Sequence, residues 1–294
     1  MLNAIGTAFP GHPAGTDAPA NTVPSATYNP VAVSPTLGGQ GDLYLGAASN
    51  PSASSLVTDT TPLTEYWHAR YTFPFGIDTE ANVTQYNPLP IESGPETIPI
   101  LVSMPDEAVT GLTKPMAGWP VVIYQHGITS NRSSMLALAD AMNAAGFAVI
   151  AIDLPLHGIV DVASDPLGGL LFEGYLDGGV RERTFGLDNI NNTTGAPGAD
   201  MTVDTSGAHY INLASLRTQR DNLRQAAADL FALKKTIGDN PDVDGGGADD
   251  LDASDVHFVG VSLGSIVGTP FSALEPSLAT VTLNVPGAGI PRLL

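Results

Sequence analysis

From Trp119 onward, the chain alternates short apolar runs with segments of helical spacing. The predicted strands cover residues 121–124, 148–152, 256–261 and 281–285, of which the first is apolar throughout. A run that is apolar at every position, like the first, is typical of a parallel strand buried on both faces, because a strand with one solvated face alternates instead. Four such strands joined through helices predict an α/β fold with a doubly wound, mostly parallel sheet.

Three segments between these strands are predicted helices. Residues 133–145 and 213–237 place apolar side chains three or four positions apart, which is the pattern of a helix with one buried face. Gly146 follows the first of them in the position of a helix C-terminal cap. Residues 265–273 are predicted as a third, shorter helix directly after the third strand.

The first part of the chain has a different composition. Residues 1–62 are rich in Pro, Gly, Ala, Ser, Thr and Asn, and we interpret them as an extended coil that either wraps the domain or forms a flexible leader. Residues 63–294 are predicted to belong to the folded domain, beginning with antiparallel strands at 66–75 and 98–102. Residues 159–210 form a long Gly- and Asp-rich excursion, which is interpreted either as a lid or as an ordinary surface insertion.

Charge and composition exclude several classes of partner. The formal net charge is −19 and the chain has no cysteine. We therefore expect no nucleic-acid partner, no disulfide and no cysteine-ligated metal. No apolar run reaches the ~18 residues of a membrane-spanning helix. Because the coil resembles an extracellular tether, we favour a secreted or cell-surface protein, with the cytoplasm as the alternative.

The strongest motif is Gly260-Val-Ser262-Leu263-Gly264, which lies between a predicted strand and a predicted helix. A sharp strand-to-helix turn raises a serine hydroxyl above the sheet, and the flanking glycines remove side chains that would collide there. The N–H of Leu263, at the helix start, can face a developing oxyanion. The pattern alone is common in Gly-rich chains, but its position predicts Ser262 as a nucleophile.

A second motif, His126-Gly127-Ile128, ends the first buried strand. The loop after this strand supplies the other oxyanion donor in such sites, so the backbone N–H of Ile128 is predicted to pair with that of Leu263. Gly127 allows the backbone to approach the substrate closely. We predict that His126 organises this loop and is not the base; an ordinary strand-to-helix turn is the alternative.

Longer stretches of the chain resemble a known family. The stretches that carry the resemblance are residues 86–90, 97–102, 119–128, 152–158, 220–225 and 257–264. They resemble bacterial extracellular lipases related to surface-exposed lysophospholipases, which belong to the α/β-hydrolase superfamily. The resemblance covers roughly residues 63–290 and implies hydrolysis of ester or lipid substrates through a serine acyl-enzyme, without a cofactor. Val261 departs from it, since His is frequent at this position in lipases.

The remaining members of a catalytic triad are not evident. In this fold the order along the chain is serine, acid, histidine. Glu275 is the sole carboxylate after Ser262, and all six histidines precede the serine. His257 lies five residues before the serine, at the far end of its strand. We therefore expect the sheet to be truncated after the strand that follows the nucleophile helix. A C-terminal polypeptide or missing segment would then supply the acid and the histidine; a site rewired to His157 or His209 is the alternative.

Two other possibilities follow from the same sequence. Asp242 and Asp244 belong to the first half of a calcium-loop pattern, but its twelfth position is Leu251 instead of Glu, so a solvated acidic loop is favoured over a calcium site and no catalytic metal is predicted. Besides an esterase or lipase, a peptidase of the same fold or a non-catalytic surface or binding module would fit the motifs. Residues 1–118 show no blade repeats of a peptidase propeller.

Overall fold

The computed structural model describes residues 25–31, 41–50, 96–160, 182–211, 216–239 and 241–287. The strands in chain order are β1 (Ser25–Val31), β2 (Gly41–Asn50), β3 (Glu96–Pro105), β4 (Trp119–Gln125), β5 (Ala148–Ile152), β6 (Leu251–Val261) and β7 (Leu278–Asn284). The helices are α1 (Glu107–Thr110), α2 (Leu136–Ala144), α3 (Leu216–Asp239) and α4 (Leu263–Leu274), and a 3-10 turn at Arg132–Met135 leads into α2.

The strands form one seven-stranded sheet in the order β1-β2-β3-β5-β4-β6-β7. β4 pairs in parallel with β5 and β6, and β6 pairs in parallel with β7. β3 is antiparallel to both β2 and β5, and β1 is antiparallel to β2. Consequently β2, β4, β5, β6 and β7 run in one direction. The predicted α/β fold with a mostly parallel sheet is confirmed.

Helices cover both faces of this sheet. Along β4, Val121 and Ile123 belong to the core that includes residues of α3 and α4, whereas Val122 and Tyr124 belong to the core that includes α2. Successive side chains of a strand point to opposite faces, so a strand between two apolar layers must be apolar at every position. Each fully buried side chain of this size contributes roughly 1.5–3 kcal/mol. This confirms the doubly wound arrangement.

The coil predicted for residues 1–62 is wrong for two stretches, because β1 and β2 lie within it. β2 pairs with β3 along its whole length, from Gly41 opposite Pro105 to Asn50 opposite Glu96. Its second half consists of Gly, Ala, Ser and Asn, so little alternation of large apolar and polar residues marks it as a strand. β2 is therefore a strand because its backbone pairs with that of β3, and not because of a pattern in its own side chains. The predicted strand at 66–75 lies outside the described residues.

The end of α2 shows why the helix predictions succeed. Gly146 has a φ of 85°, and its N–H donates to the Asn143 carbonyl at 2.9 Å. The Phe147 N–H donates to the Met142 carbonyl at 2.9 Å. This left-handed glycine cap ends the helix where the sequence predicts it.

The long excursion is described in its second part, since residues 161–181 lie outside the described residues. Residues 182–211 form turns that pack beside the loops after β4 and β5, as their hydrogen bonds show below. The lid proposed for 159–210 stays a prediction. Within the described ranges, no helix is both long and apolar enough to span a membrane.

Candidate active site

Ser262 occupies a strained turn between β6 and α4. Its φ is 52° and its ψ is −115°, a conformation that costs a non-glycine residue roughly 1–3 kcal/mol. The surrounding backbone holds it: the Ser262 N–H donates to the Asn284 carbonyl at 2.9 Å, and the Ser262 carbonyl accepts from the N–H groups of Ser265 and Ile266 at 2.9 and 3.1 Å. The residue is half-buried. It lies directly after the carboxyl end of β6.

The two glycines of the motif are required by close packing. A Cβ on Gly264 would stand 2.2 Å from the Gln125 carbonyl oxygen, at the end of β4. A Cβ on Gly260 would stand 2.7 Å from the Gly264 carbonyl oxygen. No real Cβ tolerates such distances, so both positions must stay bare for α4 to pack on the sheet. This strand, sharp turn and helix are the arrangement of the α/β-hydrolase fold.

Ser265 is a site residue that the sequence patterns did not identify. It is fully buried, and its Oγ lies 2.6 Å from the Gly260 carbonyl oxygen and 2.8 Å from the Asn284 carbonyl oxygen. The hydroxyl thus ties the ends of β6 and β7 together beneath Ser262. A serine in the first turn of a helix is unremarkable in sequence, and only the convergence of the two carbonyls reveals its role.

The loop after β4 lies directly against Ser262. A Cβ on Gly127 would stand 3.1 Å from the Cβ of Ser262 and 3.7 Å from its Oγ. The Gly127 carbonyl accepts from the His126 Nδ1–H at 2.8 Å and from the Ser130 N–H at 3.3 Å. In a trans peptide the next N–H points away from that carbonyl. The Ile128 N–H is thereby directed away from the His126 ring.

His126 is buried and engaged by backbone groups on both ring nitrogens. Its Nε2 accepts from the Leu154 N–H at 3.0 Å, which leaves the proton on Nδ1 for the bond to Gly127. Burial lowers the pKa of His126, against the attraction of Asp153. The ring is therefore neutral with a defined tautomer, the state of a histidine that organises a loop.

Three charged side chains, not identified from sequence, meet behind this loop. The Arg132 guanidinium binds Asp153 and makes two hydrogen bonds to Glu182, at 2.8 and 2.7 Å. The Arg132 N–H also donates to Asp153 at 2.6 Å. Burial disfavours ionisation of both carboxyls and raises the pKa of Glu182. For Asp153, burial is outweighed only by the Arg132 charge, the neighbouring His126 and the two Arg132 hydrogen bonds together, and the pKa is lowered. Glu182 is 50 residues from Arg132, so no local pattern signals the contact.

Two histidines proposed as alternative bases differ in their surroundings. His157 is buried; its Nδ1 donates to the Pro155 carbonyl at 2.9 Å, and its Nε2 has no hydrogen-bond partner in the described chain. Burial lowers the pKa of His157 to about 3, so it would be a weak base at neutral pH. His209 instead forms a hydrogen bond with Asp204, with Nε2 and Oδ2 2.6 Å apart.

His257 lies in the middle of β6, which begins at Leu251, so the position predicted for it at the far end of the strand is wrong. Its Nδ1 lies 2.7 Å from the Thr280 Oγ1, and its Nε2 lies 3.1 Å from Asp255. Five residues of strand, at about 3.3 Å each, separate it from Ser262 by roughly 16 Å.

Asp242, Asp244 and Asp250 each place one oxygen within 4.8 Å of the others. Backbone N–H groups already donate to all three carboxylates, from Val243 and Asp244 to Asp250 and from glycines to the other two. Lys114 binds Asp250 as well, and this hydrogen bond raises the pKa of Lys114. The positive charge of the Lys114 side chain therefore already faces this cluster.

Comparisons with protein-family models and with curated proteins found no match. Among solved structures, the chain is similar to an acetyl xylan esterase from Paenibacillus sp. R4, with 13% identity and a TM-score of 0.44 over 89% of this chain and 54% of that one. It is also similar to acetyl xylan esterase 1 from Thermoanaerobacterium sp. JW/SL YS485, with 15% identity and a TM-score of 0.44 over 92% of this chain and 55% of that one. The chain thus spans about half the length of these two proteins.

Proposed function

We propose that this protein is a carboxylic ester hydrolase, an esterase or lipase that works through a serine acyl-enzyme. The observation that carries the proposal is the strained elbow at Ser262 with Gly127 packed against it. A non-catalytic binding module gains nothing from a serine held at this energetic cost, whereas a nucleophile must be raised to meet a carbonyl carbon. The substrate class is an ester or lipid.

In the proposed reaction, the Ser262 Oγ attacks the ester carbonyl carbon and its proton passes to a histidine. The N–H groups of Ile128 and Leu263 stabilise the oxyanion. When the intermediate collapses, the alcohol leaves and takes the proton from the histidine. Water then attacks the acyl-enzyme by the same route, releases the carboxylic acid and restores the serine. No cofactor is required.

We infer that the histidine and its acid come from a C-terminal polypeptide or segment that completes the sheet. His126 and His157 are buried and bonded to backbone groups, and His257 lies in the middle of β6, five residues before Ser262, where it contacts Thr280. β7 is the outermost strand of the described sheet on this side, and most of its residues, including Val281, are exposed. A further strand would cover it.

A second candidate base is favoured by one observation. His209 and Asp204 form a histidine–carboxylate pair within the chain, and this pair could serve Ser262 without a further polypeptide. The two arrangements differ in one respect that can be measured. Replacing His209 abolishes activity only if that pair is the catalytic one.

The experiment that tests the function is a substrate panel on the natural protein with every chain that co-purifies. Short- and long-chain p-nitrophenyl esters, a lysophospholipid and peptide p-nitroanilides are offered to wild type and to Ser262→Ala. Ester turnover that Ser262→Ala abolishes supports the proposal. Turnover of the anilides alone would favour a peptidase, and no turnover of any substrate would favour a binding module.

We propose a secreted or bacterial cell-surface location, with the cytoplasm as the alternative.

A further inference from the structure

The loop that carries the Ile128 N–H is pinned at both ends by the turn after β5. At its start, the Leu154 N–H donates to the His126 ring, which in turn donates to Gly127. At its end, Asp153 accepts from the Arg132 backbone N–H and binds the Arg132 guanidinium. The residues that make these contacts, Asp153 and Leu154, directly follow β5.

The loop is also held from a distant part of the chain. The Glu182 carboxylate receives both hydrogen bonds described above from Arg132 and a third from the Ile159 N–H at 3.0 Å. Ser206 donates its hydroxyl to the Ser130 carbonyl at 2.6 Å and accepts from the Gly158 N–H at 3.1 Å. The segment 126–132, called the oxyanion loop from here on, therefore has a second support, formed by Glu182 and Ser206.

We propose that Glu182 and Ser206 are positioning residues for the oxyanion donor: they hold the Ile128 N–H in place by fixing Arg132 and Ser130 on the far side of the loop. This inference rests on the proposed function. A buried ion pair contributes little net stability compared with apolar residues of the same size. It does specify one geometry, because any arrangement that separates the partners leaves an unpaired charge in the protein interior. Such specificity is what a preorganised donor needs.

The effect should fall on the chemical step. The Ile128 N–H meets negative charge that develops in the transition state, so a displaced loop lowers kcat and leaves KM nearly unchanged. We expect Glu182→Gln to lower kcat at pH 8 by about 10- to 100-fold, the range for a small misplacement of a catalytic group. Ser206→Ala should act in the same direction and more weakly.

The dependence on pH separates positioning from plain structural damage. In the described chain, the charged groups that face the Glu182 carboxylate are Arg132 and, beyond it, Asp153. Burial raises the pKa of Glu182, so as the pH falls the wild-type carboxylate takes up a proton earlier than an exposed glutamate does. The permanently neutral Glu182→Gln should then approach the wild type: the ratio of their kcat values rises toward one. Ser206→Ala has no titrating group, and its ratio to the wild type should stay constant.

The test measures kcat and KM for a p-nitrophenyl ester from pH 4.5 to 9, on the natural protein with all its chains. Lys235→Ala, which breaks an exposed ion pair on α3, is the matched control and should match wild type throughout. A Glu182→Gln kcat equal to wild type at pH 8, or a ratio independent of pH, overturns the proposal. If Glu182→Gln does not fold, Ser206→Ala decides, and an unchanged kcat there overturns it.

Failure of the proposed function would be distinct. If the wild type turns over no ester and Ser262 takes no fluorophosphonate, both the function and this inference fall. If the wild type is active and the two variants behave like Lys235→Ala, only the inference falls.

Discussion

Gly127 and Ser262 approach so closely that a single added methyl group would alter the site: a Cβ on Gly127 would stand 3.1 Å from the serine Cβ and 3.7 Å from its Oγ. The first residue lies after β4 and the second after β6, neighbouring parallel strands whose carboxyl ends meet at one edge of the sheet. Two motifs 135 positions apart thus form one site, which is the usual location of active sites in such sheets.

Gly127→Ala should lower kcat by about 100-fold, because the methyl group displaces either the hydroxyl or the oxyanion loop. The melting temperature should change little, since the contact at 3.1 Å needs only a small shift. Gly238→Ala near the end of α3 is the control: its Cβ would be 3.6 Å from Ala253, and alanine favours a helix by up to ~1 kcal/mol. Equal activity of the two variants would contradict the close approach.

Gly264 and Gly268 lie one helical turn apart on α4. Replacing each by alanine distinguishes an effect on the turn at Ser262 from an effect on the packing of α4 alone. At Gly264 the methyl group would meet the Gln125 carbonyl at 2.2 Å, whereas at Gly268 it would meet the Phe258 ring at 2.2 Å. Both should lower stability by about 1–3 kcal/mol, measured by urea unfolding. We expect only Gly264→Ala to abolish ester turnover, because it moves the start of α4. Full activity of Gly264→Ala would show that the elbow tolerates displacement.

Acid should destabilise the fold partly through His157. Its pKa is about 3 in the folded protein and near 6.5 when unfolded, so between these values only the unfolded chain binds the proton. The free energy of unfolding therefore falls as the pH drops below 6.5, by about 1.4 kcal/mol per pH unit. His157→Asn, which can keep an N–H toward Pro155, should lose less stability between pH 7 and pH 4.5. The same loss in both proteins would be evidence against a buried neutral His157.

Removal of calcium should leave the melting temperature unchanged. A ligand that binds only the folded state raises its stability, so chelation would lower the melting temperature of a calcium-bound protein. In the Asp242, Asp244 and Asp250 cluster, Lys114 already supplies a positive charge. A decrease on chelation that calcium restores, and that Asp242→Asn removes, would establish a calcium site there.

His209→Ala distinguishes the two sources of the base. If a C-terminal part supplies the histidine, this variant should keep its kcat, measured with the same esters on the natural protein. Asp204 would lose its hydrogen bond with His209 but keep the N–H donors of Asn189 and Ile190. Loss of kcat with an unchanged melting temperature would instead assign the base to His209.

The sheet and the elbow could be predicted because their signals are local. An apolar run such as β4, and glycines on each side of Ser262, reflect steric demands within a few residues. β2 escaped prediction because its partner β3 determines it, and its small residues carry little pattern of their own.

The residues that support the oxyanion loop could not be predicted from the sequence, for a related reason. Arg132 meets Asp153 and Glu182 across 21 and 50 positions, and Ser206 meets Ser130 across 76. Nothing in the sequence near each residue encodes those pairings, since they depend on how the strands and loops come together. The lid at 159–210 and the C-terminal polypeptide or segment that would supply the acid and the histidine stay predictions.

The most direct test of the central claim is labelling of the natural protein, with its co-purifying chains, by a fluorophosphonate, followed by peptide mass spectrometry. The probe reacts only with a serine whose hydroxyl is activated by a base and whose developing oxyanion is stabilised. We predict a single adduct on the peptide that contains Ser262, absent from Ser262→Ala, whose melting temperature should match wild type. No adduct on wild type, or an adduct that persists in Ser262→Ala, would contradict the assignment of Ser262 as the nucleophile.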